Sequence, residues 1–320
     1  MLGRLLSGSH EDSPLLAIVL MLLALILLSG QDAMVKLISS DTSLWQFQTL
    51  RAVLNLCFVA VMATWFYAGR SLRPLRFWAV ALRSLFHLGA LSFFFAGAPW
   101  LTLAEMAGGL YTFPLFVVLL SLLFTRERVG IWRMLGVAAG FTGTLLVLRP
   151  GSDTFQAVAL LPVAAGFCYG CFVITTRRLC RQESPLVLVL GSNIAIVTVG
   201  SLGWYVIGQL SFSTSLKTTY PFLLNVDLPL TSYVILIIAI CAVLNTTANL
   251  FLGKAYQSAD SSFLAPVDYS YLIFATGWGW LIWQDIPSSM TIAGLALISF
   301  AGIFVAWRER IVRRQAEISS

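Results

Sequence analysis

The sequence predicts an all-α membrane protein of ten transmembrane helices, arranged as two inverted five-helix repeats. Three observations carry the prediction. Ten apolar stretches of spanning length fill almost the whole of the 320 residues. Basic residues gather in alternate loops. The second half weakly repeats the spacing of the first.

The apolar content excludes a soluble fold. The chain is 58% hydrophobic and 11% charged, with a mean hydropathy of +0.87, more apolar surface than a soluble domain of this size can hide. A bilayer core needs about 20 apolar residues per helix. Spans read near 14–38, 44–68, 77–99, 102–125, 130–148, 155–177, 185–208, 231–254, 261–283 and 287–307. These runs are too long and too uniformly apolar for barrel strands, which leaves helices. The first, dense from Leu15 to Leu28, could pass for a secretory leader. It lacks a small-x-small cleavage site and continues into Gln31, Asp32 and Lys36, so it reads as a retained helix. The repeats are expected at 14–149 and 155–307, with short cytoplasmic extensions at 1–13 and 308–320. The longest connection, 209–230, contains Ser211-Phe212-Ser213-Thr214-Ser215 and Pro221 and reads as an ordinary polar loop.

The net charge of +6 follows topology rather than a nucleic-acid surface. Arg70, Arg73 and Arg76 share one loop. Arg126, Arg128 and Arg133 lie two loops later, then come Arg177, Arg178 and Arg181, then Lys254, then Arg308, Arg310, Arg313 and Arg314 in the tail. The intervening connections carry only Lys36, Arg149 and Lys217. Lys and Arg stay on the cytoplasmic side during insertion, which puts both termini inside a plasma (bacterial inner) membrane.

Cys57, Cys168, Cys171, Cys180 and Cys241 lie mostly within spans. Cys168-Tyr169-Gly170-Cys171 has redox or metal spacing, but inside a membrane helix such cysteines read as small packing residues. No zinc motif, Gly-rich phosphate loop or nucleophile elbow occurs, so no metal, cofactor or catalytic role is expected. A membrane-embedded enzyme would need a cluster such as His-Glu-x-x-His or paired aspartates on one span. A channel would need a filter or a ring of like groups. Neither pattern is visible.

The repeat shows at the ends of both halves. Arg126-Glu127-Arg128 precedes Gly136, nine residues after the glutamate, and then Gly143. Gln284-Asp285 precedes Gly294, nine residues after the aspartate, and then Ala301-Gly302. Five spans per repeat force the second copy to insert upside down, the plan of secondary transporters that bind substrate near the midplane. Gly136 with Gly140, and Gly166 with Gly170, form GxxxG pairs that serve helix packing.

A family resemblance lies in these same segments. Ala104-Glu105-Met106-Ala107, Tyr111-Thr112-Phe113-Pro114-Leu115-Phe116, Arg126-Glu127-Arg128 and the run Gly143 to Gly151 resemble the end of the first repeat in EamA-type carriers of the drug/metabolite transporter superfamily. Ala265-Pro266-Val267-Asp268-Tyr269-Ser270 is similar to a Pro-x-Asp-Tyr segment of one branch. Gln284-Asp285-Ile286 departs from the usual Gly-Glu pair. The resemblance implies ten helices, two EamA units and carriage of small metabolites; the branch includes carriers similar to S-adenosylmethionine and amino-acid-metabolite transporters.

Charges within the spans are the chemical content. Asp32, Lys36, Arg51, Arg83, His87, Glu105 and Asp268 fall there. Each costs about 2.5–3.5 kcal/mol at the bilayer centre if it faces lipid, so each should face the bundle. Asp32 and Lys36, Arg51 and Asn55, Arg83 and His87, and Asn245 and Asn249 are four apart and share helix faces, giving polar stripes that should converge on a cavity. Asp32 with Lys36 reads as a structural pair, the lysine snorkelling outward. Glu105 and Asp268 sit beside aromatics (Tyr111 and Phe113; Tyr269 and Tyr271) near Pro114 and Pro266, and are expected to engage a cationic part of the substrate or a coupling proton. Arg83 and Arg51 are expected to engage anionic parts or to hold those carboxylates. His87, Asn245 and Asn249 suit either packing or contact. Tyr111, Tyr269 and Tyr271 would line the cavity. Trp45, Trp100 and Trp283 read as interfacial anchors, and one of Trp278 and Trp280 as a cavity wall. Both signs of charge point to a small zwitterionic metabolite, with membrane lipid as the surroundings and no nucleic-acid partner.

Overall fold

The structure, a computed structural model, describes residues 14–66, 73–125, 131–149, 156–259 and 261–319. The extension 1–13, Arg70, Arg126-Glu127-Arg128 and Pro150-Gly151 lie outside the described residues. The described residues form helices and connections, with no strand among them.

The helices follow the apolar runs. They are α1 (Pro14–Ile38), α2 (Leu44–Phe66), α3 (Phe77–Ala96), α4 (Leu103–Leu110), α5 (Phe113–Thr125), α6 (Ile131–Leu148), α7 (Leu161–Leu179, after a 3₁₀ turn at Ala157–Leu160), α8 (Pro185–Gln209), α9 (Thr214–Thr219), α10 (Pro221–Leu224), α11 (Ser232–Ser258), α12 (Ser261–Asp268), α13 (Ser270–Trp283) and α14 (Ser289–Ser319). Local chemistry sets several starts. Thr231 caps α11 by accepting from the Val234 amide. Proline occupies the first turn of α7, α8 and α10, where a missing N–H costs nothing.

Two expected spans are broken. The fourth divides into α4 and α5 at Tyr111-Thr112, and the ninth into α12 and α13 at Tyr269. Pro114 accounts for the first break, since it removes a ladder donor and crowds the preceding turn; Pro266 lies inside α12, three residues before the second.

Among the described residues seven stretches are long and apolar enough to cross a membrane: 15–38, 44–61, 77–96, 103–121, 157–179, 185–209 and 232–256. Residues 134–148 and 289–305 are shorter apolar helices. The chain is an integral membrane protein.

Packing is pairwise. α1 lies along α11, α3 along α7, α2 along α8 and α6 along α14. α12 and α13 also contact α1, while α4 and α5 contact α7. Backbones approach closely at α6 and α14. A β-carbon added at Gly143 would stand 2.8 Å from the Gly294 carbonyl oxygen, and one at Gly294 would stand 2.6 Å from that of Gly143. Backbones this close exclude any side chain, so small residues bring the helices together without hydrophobic drive.

The 209–230 connection differs from the polar loop the sequence suggested. It folds into α9 and α10 and buries Phe222 completely. Trp45 Nε1 donates to the Leu223 carbonyl at 3.0 Å, and Gln46 Nε2 donates to those of Val226 and Leu228 at 3.1 Å each. A half-apolar segment sits over α2 because the buried amide and indole of that helix need its carbonyls as partners.

Candidate functional site

The polar residues within the bundle separate into three levels. One end, near Trp100, carries Lys36, Glu105 and Asp285. The Glu105 carboxylate accepts from the Thr102 amide and hydroxyl, both at 2.9 Å, and the Glu105 amide donates back to the Thr102 hydroxyl at 3.2 Å. This is a capping box that starts α4. Lys36 donates to the Leu101 carbonyl at 2.6 Å, pairs with Asp285 at 3.7 Å and lies 5.0 Å from the Trp283 ring. The expected Asp32–Lys36 pair is therefore not formed: Lys36 turns instead to the Leu101 carbonyl and Asp285. A cavity of about 230 Å³ opens beside this group, lined by Thr102, Leu103, Thr276, Gly279, Gln284 and Asp285.

The middle level holds the densest chemistry. Asp32, buried on α1, accepts from the Tyr271 hydroxyl of α13 and from Gln31 Nε2 at 3.2 Å. Arg51 on α2 is 3% exposed. Its guanidinium lies over Phe47 at 4.9 Å and Phe95 at 5.3 Å, and its Nε and Nη1 have no hydrogen-bond partner among the described residues. The Tyr271 ring stacks on Tyr111 with centroids 5.4 Å apart, and Tyr111 also meets Tyr269 at 5.4 Å. The Tyr111 hydroxyl donates to the Asp268 backbone carbonyl at 2.9 Å. Thus the break in one half bonds directly to the break in the other. The Asp268 carboxylate is partly buried, and among the described residues no hydrogen bond or ion pair engages it. Asn55 reaches Asn245 at 3.5 Å and Thr246 at 3.3 Å, whereas Asn249, exposed, bonds the Asn245 carbonyl of its own helix at 2.7 Å. Trp278 lies against Gly30 inside the bundle and Trp280 is exposed, which assigns the inward role to Trp278.

The third level joins α3 to α7 and α8. Arg83 Nε donates to Thr176 Oγ1 at 2.9 Å, and Nη1 donates to the Leu188 carbonyl and Ser192 Oγ, each at 3.0 Å. Its guanidinium lies 4.4 Å from the Phe172 ring, on which His87 also stacks at 4.7 Å. These partners are neutral, and Glu105 is not among them. Nearby, the Glu183 carboxylate accepts from the amides of Arg76 at 2.7 Å and Leu75 at 3.0 Å, holding the α7–α8 connection to the start of α3.

Of the residues the sequence singled out, Tyr111, Tyr269 and Tyr271 meet one another and the Asp268 backbone, and Asn245 bonds Asn249 and Asn55, while Arg51, Arg83 with His87, and Glu105 each sit in separate contacts. Gln31 and Gln48, fully buried, were missed. Gln48 is three residues before Arg51 on one helix face, so helical spacing could have found it.

Residues 15–149 match the EamA-like transporter family. A riboflavin transporter of Brucella anthropi is 30% identical over 205 residues, 64% of this chain and 68% of that protein. The chain belongs to the EamA-like transporter family. The proteins of that family are described as transporters. Two further relatives extend the comparison. A riboflavin transporter of Vibrio cholerae is 28% identical over 66% of this chain, and the match spans 65% of that protein. An S-adenosylmethionine uptake transporter of Rickettsia felis is 24% identical over 90% of this chain and 92% of its own length. A crystal structure of a protein 17% identical shares the fold, with a TM-score of 0.60 over 92% of this chain and 98% of that one. The fold is thus shared with that solved structure along most of the chain.

Proposed function

We propose that the protein is a secondary carrier in the plasma membrane, moving a small, polar, zwitterionic metabolite, amino-acid-like or S-adenosylmethionine-like, by alternating access. One observation carries the reading. Asp32 and Arg51, of opposite sign, lie buried about two turns inside α1 and α2, and Asp32 bonds Tyr271 at the contact between the broken helices. Ionisable groups are retained at such depth for a pathway rather than for stability.

The helix pairings support ten spans in two inverted repeats. Exchange the first five spans with the second five, and the pairing of α1 with α11 becomes that of α7 with α3. The pairings of α2 with α8 and of α6 with α14 map onto themselves. Gly143 meets Gly294, and Gly136 faces Ala301, the same relation reversed. In this frame Asp268 and Asp32 receive the cationic part of the substrate or a coupling proton. Arg51 receives the anionic part, and Tyr111, Tyr269 and Tyr271 form the wall. Lys36 with Asp285 closes the outer mouth. Arg83 and Glu183 lie toward the cytoplasmic side with the clustered arginines, and both termini are cytoplasmic. The names of the relatives support small-metabolite carriage, with riboflavin and S-adenosylmethionine as the first candidates.

The aromatic row Tyr111, Phe113, Tyr169 and Phe172, with successive centroids 4.9–5.9 Å apart, favours a second reading, an amphiphilic metabolite with a flat ring system. Counterflow in liposomes holding the purified chain tests both. Saturable exchange of labelled amino acids or S-adenosylmethionine supports the first and exchange of riboflavin alone the second. Conductance without saturable exchange would contradict both.

A further inference from the structure

The last two spans of each half share one register. The offset in residue number that takes α4 (Leu103–Leu110) onto α12 (Ser261–Asp268) also takes Thr125, the end of α5, onto Trp283, the end of α13. It takes Ile131, the start of α6, onto Ser289, the start of α14. It takes Gly136 onto Gly294 and Gly143 onto Ala301, so the contacts of Gly143 with Gly294 and of Gly136 with Ala301 map onto each other. In this register Tyr111 and Tyr269 are equivalent. Each stands at the break of its own half, and their rings meet at 5.4 Å. Equivalent residues in contact lie on the axis that relates the halves.

Their surroundings are not equivalent. The Tyr111 hydroxyl donates to the Asp268 carbonyl of the other half at 2.9 Å, and its ring stacks on Tyr271. The mirrored bond would run from the Tyr269 hydroxyl to the Leu110 carbonyl. It is not formed: among the described residues the Tyr269 hydroxyl makes no hydrogen bond, and it rests on Gly302 of α14, where any β-carbon would overlap it. In the first half the place of Gly302 is held by Thr144, which carries that β-carbon.

We propose that Tyr111 and Tyr269 exchange these roles when the carrier turns from one membrane face to the other. Two like halves related by an axis in the membrane plane reverse the facing of the site when they trade conformations. In the exchanged state Tyr269 bonds the Leu110 carbonyl, and Tyr111 swings back toward α6. Gly302 is a positioning residue: it gives Tyr269 room to retire. Thr144 obstructs the same retreat by Tyr111, so the present arrangement is the favoured one. The proposal rests on the carrier reading above and adds to it the residues that set which face is open.

The test uses the full chain with its five native cysteines replaced by alanine and Asn55→Cys added. An impermeant thiol reagent is applied to right-side-out and inside-out vesicles, and the ratio of the two labelling rates is read. Tyr111→Phe deletes a bond made only in the present state, so the ratio should move about fivefold toward the other face, the worth of one net hydrogen bond. Tyr269→Phe deletes a bond made only in the exchanged state, so the ratio should move about fivefold the opposite way. Thr144→Gly opens the recess for Tyr111 and should act in the sense of Tyr111→Phe. A purely structural pair of tyrosines gives no opposed shifts. Shifts of the two Phe variants in the same direction, or an unmoved ratio in any of the three variants, overturns the exchange and leaves the carrier reading standing. A parent chain labelled from one face only under every condition overturns both.

Discussion

Glu105→Ala removes the lock at the start of α4. The structure sets the size of the effect. One carboxylate oxygen accepts two hydrogen bonds from Thr102, and the Thr102 hydroxyl accepts one in return. Loss of a capping interaction costs about 1 kcal/mol, within about 0.5–2. Loss of a negative charge at a helix N-terminus adds roughly 0.3–1 kcal/mol. α4 has only eight residues, so the cap is a large share of what orders it. The expected sum is about 1–2 kcal/mol, seen as a fall of roughly 2–6 °C in the melting temperature of purified protein. Glu105→Gln is the discriminating change. A glutamine oxygen can close the same box, so melting should match the parent and counterflow should stay within about twofold, a barrier change under ~0.5 kcal/mol. If Glu105→Gln abolishes transport while melting is unchanged, the charge itself is required. Glu105 then belongs with the substrate or a proton, as its sequence context suggested, and the capping account of its role is wrong.

Three further outcomes are expected. Gly143→Ala places a methyl group against the Gly294 carbonyl, which should cost about 1–3 kcal/mol through overpacking and lower the monodisperse fraction on size exclusion. Glu183→Ala strips two charged acceptors from the start of α3, a loss of about 2 kcal/mol or more; hydrogen exchange at the Leu75 and Arg76 amides should accelerate, and Glu183→Gln should recover part of the protection. Lys36→Met removes the tie to Leu101 and Asp285, so a cysteine placed at Thr276 in the neighbouring cavity should react faster with an impermeant thiol reagent added outside; an unchanged rate would remove Lys36 from the gate.

Much of the helical plan was legible because apolar length is a local property. Each expected span coincides with a helix or a broken pair, and the break at Tyr111-Thr112 lies just before the proline that causes it. Gly136 and Gly140 were legible as packing residues from their spacing, and both meet Ala301 of α14. Partner choice was not legible. Lys36 pairs with Asp285, 249 residues away, rather than with Asp32 one turn before it. Arg83 finds hydroxyls and a carbonyl where a carboxylate was expected. Helical spacing places such groups on a face, but which neighbour meets that face depends on long-range packing. Gln31 and Gln48 went unread because an uncharged amide in a span carries little signal until its burial and missing partners are seen. The covering helices α9 and α10 were masked by a run of Ser and Thr that reads as loop.

The most direct test of alternating access is cysteine accessibility at Asn55, on the α2 stripe one turn from Arg51, in a chain whose five native cysteines are replaced by alanine. Impermeant thiol reagent is applied to right-side-out and to inside-out vesicles. The account predicts labelling of Asn55→Cys from both faces, with labelling from one face falling when conformers open to the other are enriched. Labelling from one face only under every condition, or from neither, would contradict it.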